Sequence, residues 1–162
     1  MPVFAIVGNK GGAGKTTLSV NLASAFNRDA STALVDADPQ GSSLQWRVIS
    51  GNEDAVPVYE AEQDLQQQVS SLQEQFDNVL IDCPPSVHAQ QTDAVLKFSN
   101  AVLIPVQPSP MDLWATVHIE QAVNDSLDVN PELKSMLVIN QMEVRTTMSK
   151  LVREALQQIE LA

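Results

Sequence analysis

Short apolar runs of strand length recur along the chain, each followed by a longer stretch with helical spacing. Val3 to Val7 (VFAIV) is apolar throughout, the pattern of a strand covered on both faces. Thr16 to Phe26 follows as a predicted helix, with Leu18, Leu22, Ala25 and Phe26 on one face. Ala33 to Val35 forms the heart of a second strand that ends at Asp36-Ala37-Asp38-Pro39, and Ser42 to Ile49 reads as a short helix. Val56 to Tyr59 fits an outer strand, and Glu62 to Gln75 a polar, glutamine-rich helix.

Asn78 to Asp82 is a further buried strand, stopped by Cys83-Pro84-Pro85. A helix over Gln90 to Phe98 leads to the apolar run Ala101 to Val106. The loop QPSPMD then opens a helix reaching about Asp125; Met136 to Asn140 reads as a sixth strand and Ser149 to Ile159 as a terminal helix. Strands alternating with helices predict an α/β fold: a doubly wound, mostly parallel sheet with helices on both faces. No internal repeat, low-complexity segment or long polar linker divides it.

Composition narrows this picture only a little. A chain of 162 residues with 44% hydrophobic and 18% charged residues is one globular domain with a substantial core. Nine Lys+Arg against 20 Asp+Glu leave a net charge of −11, which excludes a surface that is basic throughout. A local basic patch remains possible, and Arg145, Lys150 and Arg153 cluster near the end. The single cysteine, Cys83, has no internal disulfide partner, which fits a reducing cytoplasm. The opening MPVFAIVGNK lacks the basic n-region expected of a secretory leader and its apolar run is strand-length, and no apolar run approaches the ~20 residues of a membrane span.

The strongest chemistry lies in GNKGGAGKTT, residues 8 to 17, between the first strand and the first helix. A glycine-rich turn there aims backbone N–H groups and a helix N-terminus at one spot, a site for phosphate. In such a P-loop Lys15 reaches the β- and γ-phosphates of a nucleotide and the Thr16 hydroxyl meets Mg²⁺. Gly11, Gly12 and Gly14 permit positive φ and close approach. The strict spacing places a glycine at position 9, where this chain has Asn9, with Gly8 one residue out of register. A second lysine, Lys10, is superfluous for one triphosphate. Pointing outward, it is either a solvated cation or a contact to the phosphates of a nucleotide held by another subunit.

KGGAGKTT resembles the deviant Walker A motif of the ParA/MinD family of ATPases, with Lys10 in the place of its signature lysine. LVDADPQGSS, from Leu34, resembles that family's second motif, and VLIDCPP, from Val79, its Walker B strand. The resemblance implies a P-loop NTPase fold over a single domain, residues 1–162, lacking the family's usual C-terminal strand and helix. It implies ATP and Mg²⁺ as cofactors, with Gly11, Gly12, Ala13, Gly14, Lys15, Thr16 and Thr17 around the phosphates. Lys10 would cross a homodimer interface, and Asp38 would position or activate the attacking water. Thr16, Asp36 and Asp82 would serve the metal, and Pro108 and Asn140 would line the nucleotide base, with Pro110 and Asp112 at neighbouring recurrent positions.

A small chain of this family resembles the ParA-like proteins that partition plasmids or position protein clusters and bacterial compartments such as carboxysomes. The resemblance implies an ATP-bound dimer on non-specific DNA, a cargo-bound partner protein that stimulates slow hydrolysis, and a cytoplasmic, nucleoid-associated location without membrane. A MinD-like membrane switch is the alternative, but it needs a basic amphipathic tail, and the last segment carries Glu154 and Glu160. A small-molecule synthetase of the same superfamily would not need Lys10, and a redox relative would need paired cysteines. His88 and His118 have no triad partners in prospect, and Trp46 and Trp114 read as packing residues.

Overall fold

The structure is a computed structural model that describes residues 1–52, 54–143, 151 and 154; at Pro110, Asp112 and Leu113 it describes the backbone alone. The terminal helix and the cluster of Arg145, Lys150 and Arg153 therefore lie outside the described residues, apart from Leu151 and Glu154, which are helical.

Six strands form one sheet in the order β3-β2-β4-β1-β5-β6. They are β1 (Val3–Ile6), β2 (Thr32–Asp36), β3 (Val58–Glu60), β4 (Asn78–Asp82), β5 (Ala101–Val106) and β6 (Lys134–Ile139). Every pair is parallel, so the mostly parallel sheet of the expectation is parallel throughout. Among the described residues the assigned helices are α1 (Lys15–Phe26), α2 (Ser42–Ser50), α3 (Leu65–Gln73), α4 (Gln90–Leu96) and α5 (Pro110–Ser126). The chain steps outward through β2 and β3, returns to β4 beside β1, and continues the other way through β5 and β6. With crossovers of one hand, such a reversal puts helices on both faces.

The alternating side chains of the central strands feed two cores. Phe4, Ile6, Leu34 and Leu80 face α1 and α2, with Val20, Ala23, Leu22, Phe26 and Trp46 against them. Val3, Ala5, Val7, Val35, Val79 and Ile81 face the opposite way, toward Val69 and Leu72 of α3, Val95 of α4, and Ile119 and Val123 of α5. Burial on both sides is why these strands read as unbroken apolar runs.

Three expectations need correction. In α1 the buried positions are Lys15, Ser19, Val20 and Ala23, while Ala25 is exposed. Leu18, Leu22 and Phe26 pack against the core as expected, while the first turns also bury Lys15 and Ser19 at the polar strand ends. Trp46 packs in the core, but Trp114 is 77% exposed on α5. The glutamine-rich helix also begins later than its polar pattern implied: Asp64 accepts the Gln67 N–H at 3.0 Å and caps a helix starting at Leu65.

Candidate nucleotide site

All the acidic strand ends and the glycine-rich loop meet at the C-terminal edge of the sheet. In register, Ile6 stands beside Asp82 and Asp82 beside Asp36, so the loop after β1 opens next to both carboxylates. Ligands of open parallel sheets bind at this edge, where the strand order reverses.

The loop enters α1 through Gly14, whose φ is 90°. No side chain caps α1 and no acidic residue lies in its first turn, so its leading N–H groups are left without a side-chain acceptor from the helix, as at an anion-binding helix start. Gly12 also has positive φ, at 81°, whereas Gly11 does not share it. Lys15 is buried, and its ammonium donates to the Lys10 carbonyl at 3.0 Å. Burial lowers its pKa, and the nearby Asp82 and Asp38 oppose that shift. Gly8 eases this packing: a Cβ there would lie 3.2 Å from Cδ of Lys15, a tight contact that the side chain would have to yield to. Lys10 itself is exposed, as are Gly11, Gly12 and Thr17, while Ala13 is buried.

Asp82 is fully buried and held by hydroxyls. Ser19 Oγ, on α1, donates to its Oδ1 at 3.0 Å, and Ser43 Oγ, on α2, to its Oδ2 at 2.7 Å. Burial raises the pKa of Asp82, and hydrogen bonds from Ser43, Thr16 and Ser19 draw it back. Thr16 and Asp82 are thus adjacent. Asp36, also buried, accepts the Leu44 N–H at 3.0 Å and the Asp38 N–H at 3.2 Å. It caps α2 from the strand, since that helix starts at a left-handed Gly41 with no cap of its own. Burial raises the pKa of Asp36 as well. Asp38 is half-buried and accepts the Gln40 N–H at 3.0 Å.

Because Asp36 and Asp82 hold protons more tightly folded than unfolded, the folded chain binds more protons between the ordinary carboxyl value of 3.8 and the raised values. Their contribution to stability therefore falls as pH rises through that window and is least favourable at neutral pH. Asp82→Asn is expected to stabilise the ligand-free chain by about 1 kcal/mol, or about 3 °C in melting temperature. Calorimetry checks this; an unchanged or lower melting temperature would mean that the hydroxyl donors already offset the buried charge.

The remaining candidates are distributed as follows. Pro108 is half-buried within the loop after β5, and Asn140 donates from Nδ2 to the Ala13 carbonyl at 3.0 Å. The side chain of Asp112 lies outside the described residues. Cys83 is fully buried and burial pushes its thiol well above the ordinary range, as befits a packing residue. His88 and His118 are exposed and border one surface pocket of about 390 Å³ between α4 and α5, away from the loop. Among the described residues no group of three or more His, Cys, Asp or Glu could hold a metal, and no helix is long and apolar enough to cross a membrane. Sequence reasoning missed Gly8, Ser19, Ser43 and Gln107; only Gly8 left a trace, as a glycine without a place in the motif.

The family model of the CobQ/CobB/MinD/ParA nucleotide binding domain matches residues 4–161. The chain is 37% identical over 160 residues to the Maintenance of carboxysome distribution protein A of Halothiobacillus neapolitanus, a match spanning 96% of this chain and 74% of that protein. It is 36% identical over 121 residues to the protein of the same name from Gloeobacter kilaueensis, spanning 72% of this chain and 55% of that one. Among solved structures, the cobyrinic acid a,c-diamide synthase of Mycobacterium smegmatis with bound ADP and magnesium matches with a TM-score of 0.80. That match covers 99% of this chain and 82% of the synthase at 22% identity, a likeness of fold alone.

Proposed function

Because the chain belongs to the CobQ/CobB/MinD/ParA nucleotide-binding domain family, we propose that it is a ParA-like ATPase that positions a cargo. In this account it dimerises with ATP, binds DNA non-specifically in the cytoplasm, and is released when a cargo-bound partner protein stimulates slow hydrolysis. Relatedness to carboxysome distribution proteins favours a bacterial compartment over a plasmid as the cargo, and this reading over a MinD-like membrane switch.

The observation that carries the proposal is the opposite fate of the two loop lysines: Lys15 is buried and Lys10 is exposed. The uncapped start of α1 and the N–H groups from Gly11 to Thr17 receive the phosphates. Lys15 exchanges its Lys10 carbonyl for a phosphate oxygen, which restores a full countercharge to a desolvated cation. Lys10 reaches the nucleotide of the partner subunit and stabilises charge as the γ-phosphoryl group departs. Asp38, close enough to influence Lys15, orients the attacking water.

Thr16 and Asp82 form an all-oxygen pair suited to a hard cation, with Asp36 behind Asp82 in the next strand. Thr16 and Asp82 would hold Mg²⁺, which needs few protein ligands and would supply neutralisation of charge at the phosphates. Pro108, half-buried after β5, would face the nucleotide base.

Binding to random-sequence duplex DNA tests the function. With a non-hydrolysable ATP analogue the chain is expected to bind, and to weaken by tenfold or more between about 50 and 200 mM salt. With ADP it is expected not to bind. Equal binding with both nucleotides, or binding with neither, would contradict the nucleotide-switched DNA account.

A further inference from the structure

Two side-chain amides from the C-terminal part of the fold hold the outer rim of the glycine-rich loop. Gln107 follows β5 and Asn140 follows β6, strands paired so that Val106 lies opposite Ile139. The Asn140 backbone N–H donates to the Val106 carbonyl at 2.8 Å, which fixes the two positions side by side. From there Gln107 Nε2 donates to the Gly12 carbonyl at 2.8 Å, and Asn140 Nδ2 to the Ala13 carbonyl at 3.0 Å.

Neither amide is incidental. Asn140 Nδ2 faces a carbonyl, which only accepts, and its Oδ1 lies 2.9 Å from the Gln141 N–H, which only donates; one orientation of the side chain satisfies both. Gln107 Nε2 also donates to Gln141 Oε1 at 2.8 Å, joining the two post-strand segments. Gly14 makes room for the contact, since a Cβ at that position would collide with the Asn140 amide nitrogen.

We infer that Gln107 and Asn140 are positioning residues that hold the Gly12 and Ala13 peptide planes of the loop in the orientation that phosphate binding requires. The inference rests on the nucleotide reading of the loop. In a trans peptide unit the C=O and N–H groups point to opposite edges, and the backbone contains no cis bond among the described residues. Holding the carbonyls of Gly12 and Ala13 toward β5 and β6 therefore turns the N–H groups of Ala13 and Gly14 to the other side, where phosphate oxygens accept. Glycine at 12 and 14 makes these planes easy to rotate, so an unheld loop would lose entropy each time a phosphate bound. The two amides meet that cost in advance.

The test is calorimetric titration of wild type, Asn140→Ala and Gln107→Met with MgATP and with inorganic tripolyphosphate, which has phosphates and no base. Each variant is expected to bind both ligands about fivefold more weakly than wild type, by the same factor for each. A loss confined to ATP would assign Asn140 to the base and overturn the inference, as would unchanged affinity in both variants. Wild type that binds neither ligand would overturn the nucleotide reading itself, and the inference with it.

Discussion

Lys10→Ala is expected to bind ATP within about threefold of wild type while losing ATP-dependent dimerisation and hydrolysis. The residue is exposed, and the buried lysine of the same loop is Lys15, so removing Lys10 leaves the subunit's own phosphate contacts in place. What disappears is a cation that another subunit's nucleotide would use. Cations supplied in trans are worth on the order of a thousandfold in phosphoryl transfer, so hydrolysis should fall to background. Sedimentation with and without ATP, beside nucleotide titration, checks both halves. Dimerisation equal to wild type would remove Lys10 from the interface, and loss of ATP binding would return it to its own subunit's site.

Asp38→Ala is expected to do the reverse: it should dimerise with ATP and then fail to turn over. Asp38 follows β2 at the strand ends, half-buried, with one carboxylate oxygen engaged by the Gln40 N–H. It is thus held near the loop without being locked into the α2 cap, as Asp36 is. Loss of a group that orients or deprotonates water costs roughly 10²- to 10⁴-fold in rate. In the proposed account the glycine-rich loop and Lys15, not this side chain, hold the phosphates, so the ATP dimer should accumulate. Single-turnover hydrolysis and sedimentation of the same sample check the pair of effects, and a wild-type rate would exclude Asp38 from the chemistry.

The strands and the loop were legible because their signals are local. Buried parallel strands are continuous apolar runs, and the phosphate loop is a contiguous motif whose glycines and lysine sit together in the chain. β4 and β5 match their expected bounds, since a turn or proline closes each apolar run. The bonds that finish the site were not legible because they join residues far apart. Ser19 and Ser43 meet Asp82 across 63 and 39 positions, and Gln107 meets Gly12 across 95. A serine on a helix or a glutamine after a strand gives no sign of such a partner. On α1 Leu18, Leu22 and Phe26 pack inward as their spacing implies, but Ala25 is exposed, and Ser19 is inward because it serves a carboxylate, which spacing does not show. Asp36 was legible as an acidic strand end, whereas its capping of α2 required the fold.

The most direct test of the two-lysine account is to mix Lys10→Ala with Lys15→Ala subunits, each inactive alone, at saturating ATP. Lys10→Ala keeps an intact phosphate loop and lacks the crossing cation; Lys15→Ala has a crippled loop and still carries Lys10. If Lys10 acts across the interface, the mixture hydrolyses ATP in the Lys10→Ala pockets, well above the sum of the separate proteins. A mixture no more active than that sum would contradict the account and confine both lysines to a single subunit.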